Sequence, residues 1–228
     1  QKPSSAASDV YKRQVLAVVN HKGGCGKTTT VTNLGAALSL GSEERGIKPR
    51  KVLIVDLDPR GNVATTFGVD KNALGPTMNG LFQAVIDGSR IDINPFVIPP
   101  EQLTRWMRKA WKRQFPNRSR GPPVSHKVDS LSLLPADLDL SGIEIELAMR
   151  IGREHRLRIA LEGAMEHFDL IIIDEAHHAV ANSWRKIFNY FSKAIKLGVT
   201  ATPMRMTGAG LGEIFDNLIV GSTIPELV

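Results

Sequence analysis

The chain has 228 residues, a formal net charge of +6 and a single cysteine. That length supports one α/β domain with a full core, or one and a fraction. The lone cysteine excludes an intrachain disulfide, and no apolar run approaches the roughly 20 residues that cross a bilayer. With no signal-like apolar start either, a cytoplasmic protein without a membrane partner is the expectation.

Residues 1–13, QKPSSAASDVYKR, show no apolar periodicity and read as a non-native or disordered leader. An apolar run at residues 15–19 predicts a strand and residues 29–40 predict a helix, so the intervening NHKGGCGKTTT lies where a phosphate-binding loop belongs. Gly23, Gly24 and Gly26 open backbone angles closed to other residues, which lets successive N–H groups converge on phosphate oxygens at the positive end of the helix. Lys27 is placed to reach the β and γ phosphates of ATP, and Thr28 to offer its hydroxyl to Mg2+. Cys25 fills the variable position of the motif, and Thr29 completes the nucleotide-binding stretch. The strict pattern GxxxxGK[ST] has glycine where this chain has His21, and Lys22 stands directly before the glycine pair.

Residues 52–55 form a continuous apolar run suited to a buried parallel strand. Asp56 and Asp58 arrive at its C-terminal end, beside the loop, where ligands sit in such sheets. Asp56 reads as support for the metal shell or for the strand end. Residues 63–92 read as helix and loop, and the prolines within residues 94–100 predict extended chain.

The positive charge is concentrated just beyond. Arg105, Arg108, Lys109, Lys112, Arg113, Arg118, Arg120 and Lys127 fall between residues 102 and 128, where no acid occurs, and the rest of the chain sums to −2. Leu103, Trp106, Met107, Ala110 and Trp111 recur there at helical spacing, leaving Arg and Lys on the remaining face. Two readings stay open: a DNA-backbone contact favoured by counterion release and tryptophan stacking, or a solvated face whose tryptophans pack on the domain.

Residues 131–134 predict a strand that turns at Pro135, and residues 144–168 predict one helix with Ile143, Leu147, Ile151, Leu157, Leu161 and Met165 roughly along one side. The run FDLIIID then ends in Asp174. An aspartate closing an apolar parallel strand beside a phosphate loop is the Walker B arrangement, in which it holds the water shell of Mg2+. Together these elements predict an α/β fold of P-loop NTPase type, a mostly parallel sheet with helices on both faces and an irregular C-terminal part.

Several of these motifs carry a family resemblance. KGGCGKT resembles the deviant phosphate loop of the ParA/MinD/Soj partition and positioning ATPases, which implies that Lys22 reaches across a nucleotide-sandwich homodimer to the partner's phosphates. DLDPRGN is similar to the DxDPQGN segment of that family, which implies that Asp58 positions or activates the attacking water; Arg60 stands where glutamine is usual. The LPA run at residues 134–136 is also similar. Over residues 14–173 the resemblance implies a Mg·ATP-dependent dimer acting in plasmid or chromosome partitioning. Its implied partners are nonspecific DNA and a ParB-like partition protein. It implies nothing for residues 102–128, because DNA binding in that family is attributed largely to a C-terminal surface.

After Asp174 the text departs from the family. Asp174 to His177 spell DEAH, VTATP follows at residues 199–203, and the intervening ANSWRKIFNYFSKA has helical apolar spacing. This pairing resembles motifs II and III of superfamily 2 helicases over residues 169–228. It implies that Glu175 is the general base for water and that Thr200 and Thr202 couple hydrolysis to strand movement. An ordinary pair of turn histidines at His177 and His178 is the alternative. SSAASDVYKRQ near the start resembles translated adapter sequence, so a join of two reading frames is expected, with residues 174–228 a helicase-like segment. In helicases the motif III strand lies between the loop strand and the Walker B strand, whereas in ParA relatives those two are neighbours. A topological conflict is therefore expected in the tail. A partition-type switch that hydrolyses ATP to ADP and phosphate, a motor fragment, and a chimera that binds nucleotide at best are the three functions this sequence allows.

Overall fold

The computed structural model describes residues 14–19, 24, 26–118, 128–148, 153–175 and 195–198. Five strands form one sheet: β1 (Gln14–Val19), β2 (Val52–Asp56), β3 (Leu131–Leu134), β4 (Leu170–Asp174) and β5 (Ile195–Gly198). Their order is β3-β2-β4-β1-β5 and every pairing is parallel. The loop strand β1 pairs directly with β4, and β5 adds on the far side of β1. Among the described residues no strand separates the phosphate-loop strand from the strand ending in Asp174, which is the neighbour arrangement expected of ParA relatives. Residues 176–194 and 199–228, with His177, His178, Thr200 and Thr202, lie outside the described residues, as does the leader.

Alternation along the central strands divides the core in two, because successive side chains point to opposite faces. Leu53, Val55, Ile171 and Ile173 face α3 (Met78–Ile86), α5 (Leu140–Ala148) and α6 (Arg153–Glu162). Val52, Ile54, Leu170 and Ile172 face α1 (Lys27–Leu40), α2 (Asn62–Thr66) and α4 (Pro100–Gln114). Burial on both faces explains why β2 and β4 read as unbroken apolar runs. Gly35 lets α1 lie against β2, since a Cβ there would stand 2.7 Å from Cδ1 of Ile54.

Helix α4 is the basic helix. Leu103 is buried, and Trp106 and Met107 pack on the core from the same side. The Thr104 hydroxyl accepts from the Val128 amide at 3.3 Å. Its lower end rests on Gly68, which has φ +71 and where a Cβ would stand 2.3 Å from the Cβ of Ala110.

Two expectations change. Residues 144–168 are not α-helical throughout: α5 and α6 fall within them, residues 149–152 lie outside the described residues, and Gly163–Glu166 closes as a 3-10 turn. Nor is the proline-rich stretch uniformly extended. Asn94–Phe96 is a 3-10 turn with Pro95 in its first positions, where the missing N–H costs nothing. Only around Ile98 does the chain extend, exchanging hydrogen bonds with Leu133 of β3 at 2.8 and 3.1 Å in an antiparallel bridge.

Candidate functional site

Parallel strands deliver their C-terminal ends to one edge of the sheet, and the register aligns Asp56 with Asp174 and Val18 with Asp174. The acids and the start of the phosphate loop therefore emerge side by side. Gly24 and Gly26 both take left-handed backbone angles, φ +71 and +80. From Gly26 the chain turns straight into α1, whose first residue is Lys27, two residues before the helix expected from sequence. This puts the lysine and Thr28 at the positive end of the helix.

Lys27 is buried, and its Nζ lies 3.0 Å from Oε1 of Glu175, itself buried. The Thr28 hydroxyl donates to Oδ2 of Asp174 at 2.7 Å, while the Glu175 amide donates to Oδ1 at 3.1 Å. Lys27, Thr28, Asp174 and Glu175 thus converge on one point. Glu175 holds φ +51, uncommon for a residue with a Cβ and a form of local strain that collects at functional sites.

Burial raises the carboxyl of Asp174 to about 6, helped by the charges of Glu175 and Asp58 and opposed by the Thr28 hydroxyl. Asp56, fully buried, is pushed up to about 7, first by burial and then by the charge of Asp174, against the amides it accepts. Those amides belong to Asp58 at 2.9 Å and Val63 at 3.2 Å, so Asp56 ties the two ends of the loop that follows β2.

That loop shapes the surroundings of Asp58. Oδ1 accepts from the Arg60 amide and from Arg60 Nε, both at 3.0 Å. Oδ2 accepts from Arg60 Nε at 3.0 Å, from Arg60 Nη2 at 2.8 Å and from Asn62 Nδ2 at 3.1 Å. Lys71 donates in turn to the Arg60 carbonyl. Gly61, at φ +61, completes the turn, and a Cβ there would stand 2.9 Å from the Ala136 carbonyl oxygen in the LPA segment. The residues around Arg60 and Lys71 were not found by sequence reasoning; the arginine at the position of the usual glutamine was the only signal.

Among the described residues no group of three His, Cys, Asp or Glu side chains could hold a metal ion by itself. The adjacent Thr28 hydroxyl and Asp174 carboxylate fit Mg2+ instead, an ion bound through one or two protein oxygens with phosphates and waters supplying the rest. Lys22, Gly23 and Cys25 lie outside the described residues, and Thr29 is exposed on the first turn of α1.

Comparison with known proteins gives a consistent picture. A family model described as AAA domain matches residues 13–179. The sporulation initiation inhibitor protein Soj of Bacillus subtilis is 33% identical over 161 residues, covering 71% of this chain and 49% of Soj. The chromosome partitioning protein ParA of Caulobacter vibrioides is 31% identical over 166 residues, covering 71% of this chain and 47% of that protein. Cobyrinic acid a,c-diamide synthase from Mycobacterium smegmatis, solved with ADP and magnesium, superposes with a TM-score of 0.50 at 33% identity over 71% of this chain and 50% of its own. Apo McdA from Cyanothece shares the fold with a TM-score of 0.51 at 23% identity, over 74% of this chain and 53% of its own. The chain spans about half the length of Soj and of the Caulobacter ParA. Neither the helicase resemblance of residues 169–228 nor the adapter reading of the leader gains support from these comparisons. Among the described residues no helix is long and apolar enough to cross a membrane.

Proposed function

The chain belongs to the AAA domain family of ParA/Soj/MinD-type P-loop ATPases, and from that premise we propose that it is a nucleotide-switched ATPase that dimerises on Mg·ATP and acts in DNA partitioning. The observation that carries this reading is the closure of Thr28 on Asp174 at 2.7 Å beside the buried Lys27, at the mouth of three parallel strands. The bound ligands of the diamide synthase, ADP or an ATP analogue with magnesium, favour the same nucleotide and ion here.

In this reading the backbone of residues 23–29 cradles the phosphates and Lys27 exchanges Glu175 for the β and γ oxygens. Thr28 and Asp174 would hold Mg2+, which would supply charge neutralisation for the phosphates when bound. Asp58 orients the attacking water. Asp56 holds the loop that carries Asp58, and Glu175 keeps Lys27 aimed into the site until nucleotide arrives. Lys22 supplies a cation to the second copy. The full chain with Mg·ATP is expected to sediment as a dimer and the Lys22→Ala variant as a monomer that still binds ATP. If the wild type stays monomeric with saturating Mg·ATP, the switch reading is wrong.

Nonspecific DNA and a ParB-like protein are the partners this reading calls for, and α4 supports the first. Arg105, Arg108, Lys109, Lys112 and Arg113 are exposed on the face turned from the core. Arg105, Arg108, Lys109 and Lys112 line a groove of about 400 Å3 with Glu101 and Thr104. Of the two readings of the tryptophans, the packing one fits: Trp106 lies against the core, and Trp111 contacts Phe115 at a ring distance of 4.3 Å. The cations and not the rings are then the contact, and phosphate binding is expected to release counterions. Duplex affinity should fall with salt at a log–log slope of about −4, which Arg108→Gln, Lys109→Gln and Lys112→Gln together reduce by about 3. An unchanged slope in the triple variant, read by fluorescence anisotropy, would remove α4 from the interface.

A further inference from the structure

We propose that Arg60 is a positioning residue that caps Asp58 and holds ATP hydrolysis below the rate the site can otherwise reach. The inference deepens the ATPase reading above and rests on it. A carboxylate offers about four lone-pair positions on its two oxygens. At Asp58 the Arg60 side chain makes three of the contacts that crowd them: Nε reaches both oxygens and Nη2 reaches Oδ2. The Arg60 amide and Asn62 Nδ2 also donate to Asp58, from the turn itself. A water that is to be oriented by Asp58 must therefore take the place of the guanidinium.

Burial makes the exchange one-sided. The Asp58 side chain is 4% exposed and fixed by the turn, whereas that of Arg60 is 69% exposed. The arginine is the partner that can leave. Its backbone is also held in place, since the Lys71 ammonium donates to the Arg60 carbonyl and the Gly61 amide to the Asp58 carbonyl at 2.8 Å. Release is then a side-chain rotation with the loop unchanged. Glutamine at this position can donate one hydrogen bond to Asp58 but brings no charge and no fork, so it would leave an oxygen open to water.

Because the guanidinium is solvated, the cap is weak. Its removal is expected to raise kcat about fivefold, the effect of an exposed charge pair of ordinary strength. The experiment measures single-turnover and steady-state ATP hydrolysis by the full chain, with nucleotide affinity in parallel, for wild type, Arg60→Gln, Arg60→Lys, Asp58→Asn and the Arg60→Gln, Asp58→Asn pair. Support is a higher kcat in R60Q at unchanged ATP affinity, an intermediate rate in R60K, and no gain from R60Q once Asp58 is asparagine. Equal or slower hydrolysis in R60Q, zero in both included, overturns the cap. So does a gain that persists in the paired variant, because the effect then does not pass through Asp58. If D58N hydrolyses ATP like the wild type, the assignment of Asp58 in the ATPase reading falls as well. If D58N is inactive while R60Q matches wild type, the cap alone falls.

Discussion

Lys27→Ala is expected to unfold the protein more readily and to weaken its hold on nucleotide, and the two losses are separable. Lys27 and Glu175 form an ion pair with side chains only 5% and 8% exposed. Removing one member of such a buried pair costs about 3–5 kcal/mol, because the other keeps its desolvation penalty without the opposing charge. Lys27 is also the cation for the phosphates, and charge-assisted hydrogen bonds of that kind are worth about 1.5–3 kcal/mol, or about 10- to 150-fold in affinity. Pairing Lys27→Ala with Glu175→Gln removes the stranded charge. The double variant should recover most of the stability in urea unfolding and none of the ATP affinity. Equal stability of Lys27→Ala and wild type would show that the pair contributes nothing in solution.

A second large effect is expected far from the nucleotide. Gly68→Ala places a Cβ 2.3 Å from that of Ala110, and at φ +71 the new residue is strained whatever the space. The left-handed angle costs about 1–2 kcal/mol and the overlap with a side chain that has no rotamer to change adds about 1–3 kcal/mol. Thermal unfolding of Gly68→Ala should therefore show a loss of about 2–5 kcal/mol. Ala110→Gly relieves the overlap but not the angle, at the cost of about 1 kcal/mol for glycine inside a helix. A double-mutant cycle should return a coupling of about 1–3 kcal/mol; additivity would mean that α4 does not seat on Gly68.

Much of the fold was legible because the buried strands spell themselves out. Residues 52–55 and 170–173 are covered on both faces, so their sequences are unbroken apolar runs, and each is followed by an acid at the edge where the loop begins. The phosphate loop was legible for a similar reason: its glycines, lysine and threonine are local and their spacing is rigid. Helix α4 could be read in its apolar spacing, and its Leu103 and Trp106 face inward as that spacing requires.

What escaped the sequence involves partners distant along the chain. Nothing near Lys27 signals that Glu175 will meet it, since that contact depends on β1 and β4 lying side by side. The 3-10 turn at Gly163–Glu166 escaped because Leu157, Leu161 and Ala164 keep an apolar spacing up to and into it, and periodicity does not register a tightened last turn. Arg60 was seen as a departure from a motif, but its grip on Asp58 comes from a turn closed by Asp56 and Gly61, which a motif does not describe.

The bridge between Ile98 and Leu133 has one more effect. β3 is the outer strand on its side of the sheet, and an open outer strand invites a neighbouring molecule to extend the sheet. Ile98 occupies the amide and carbonyl of Leu133 from outside, while Pro99 and Pro100 beside it have no N–H with which to pair further. A single residue thereby blunts a flank that could seed aggregation, by taking the groups of Leu133 that a sixth strand would need.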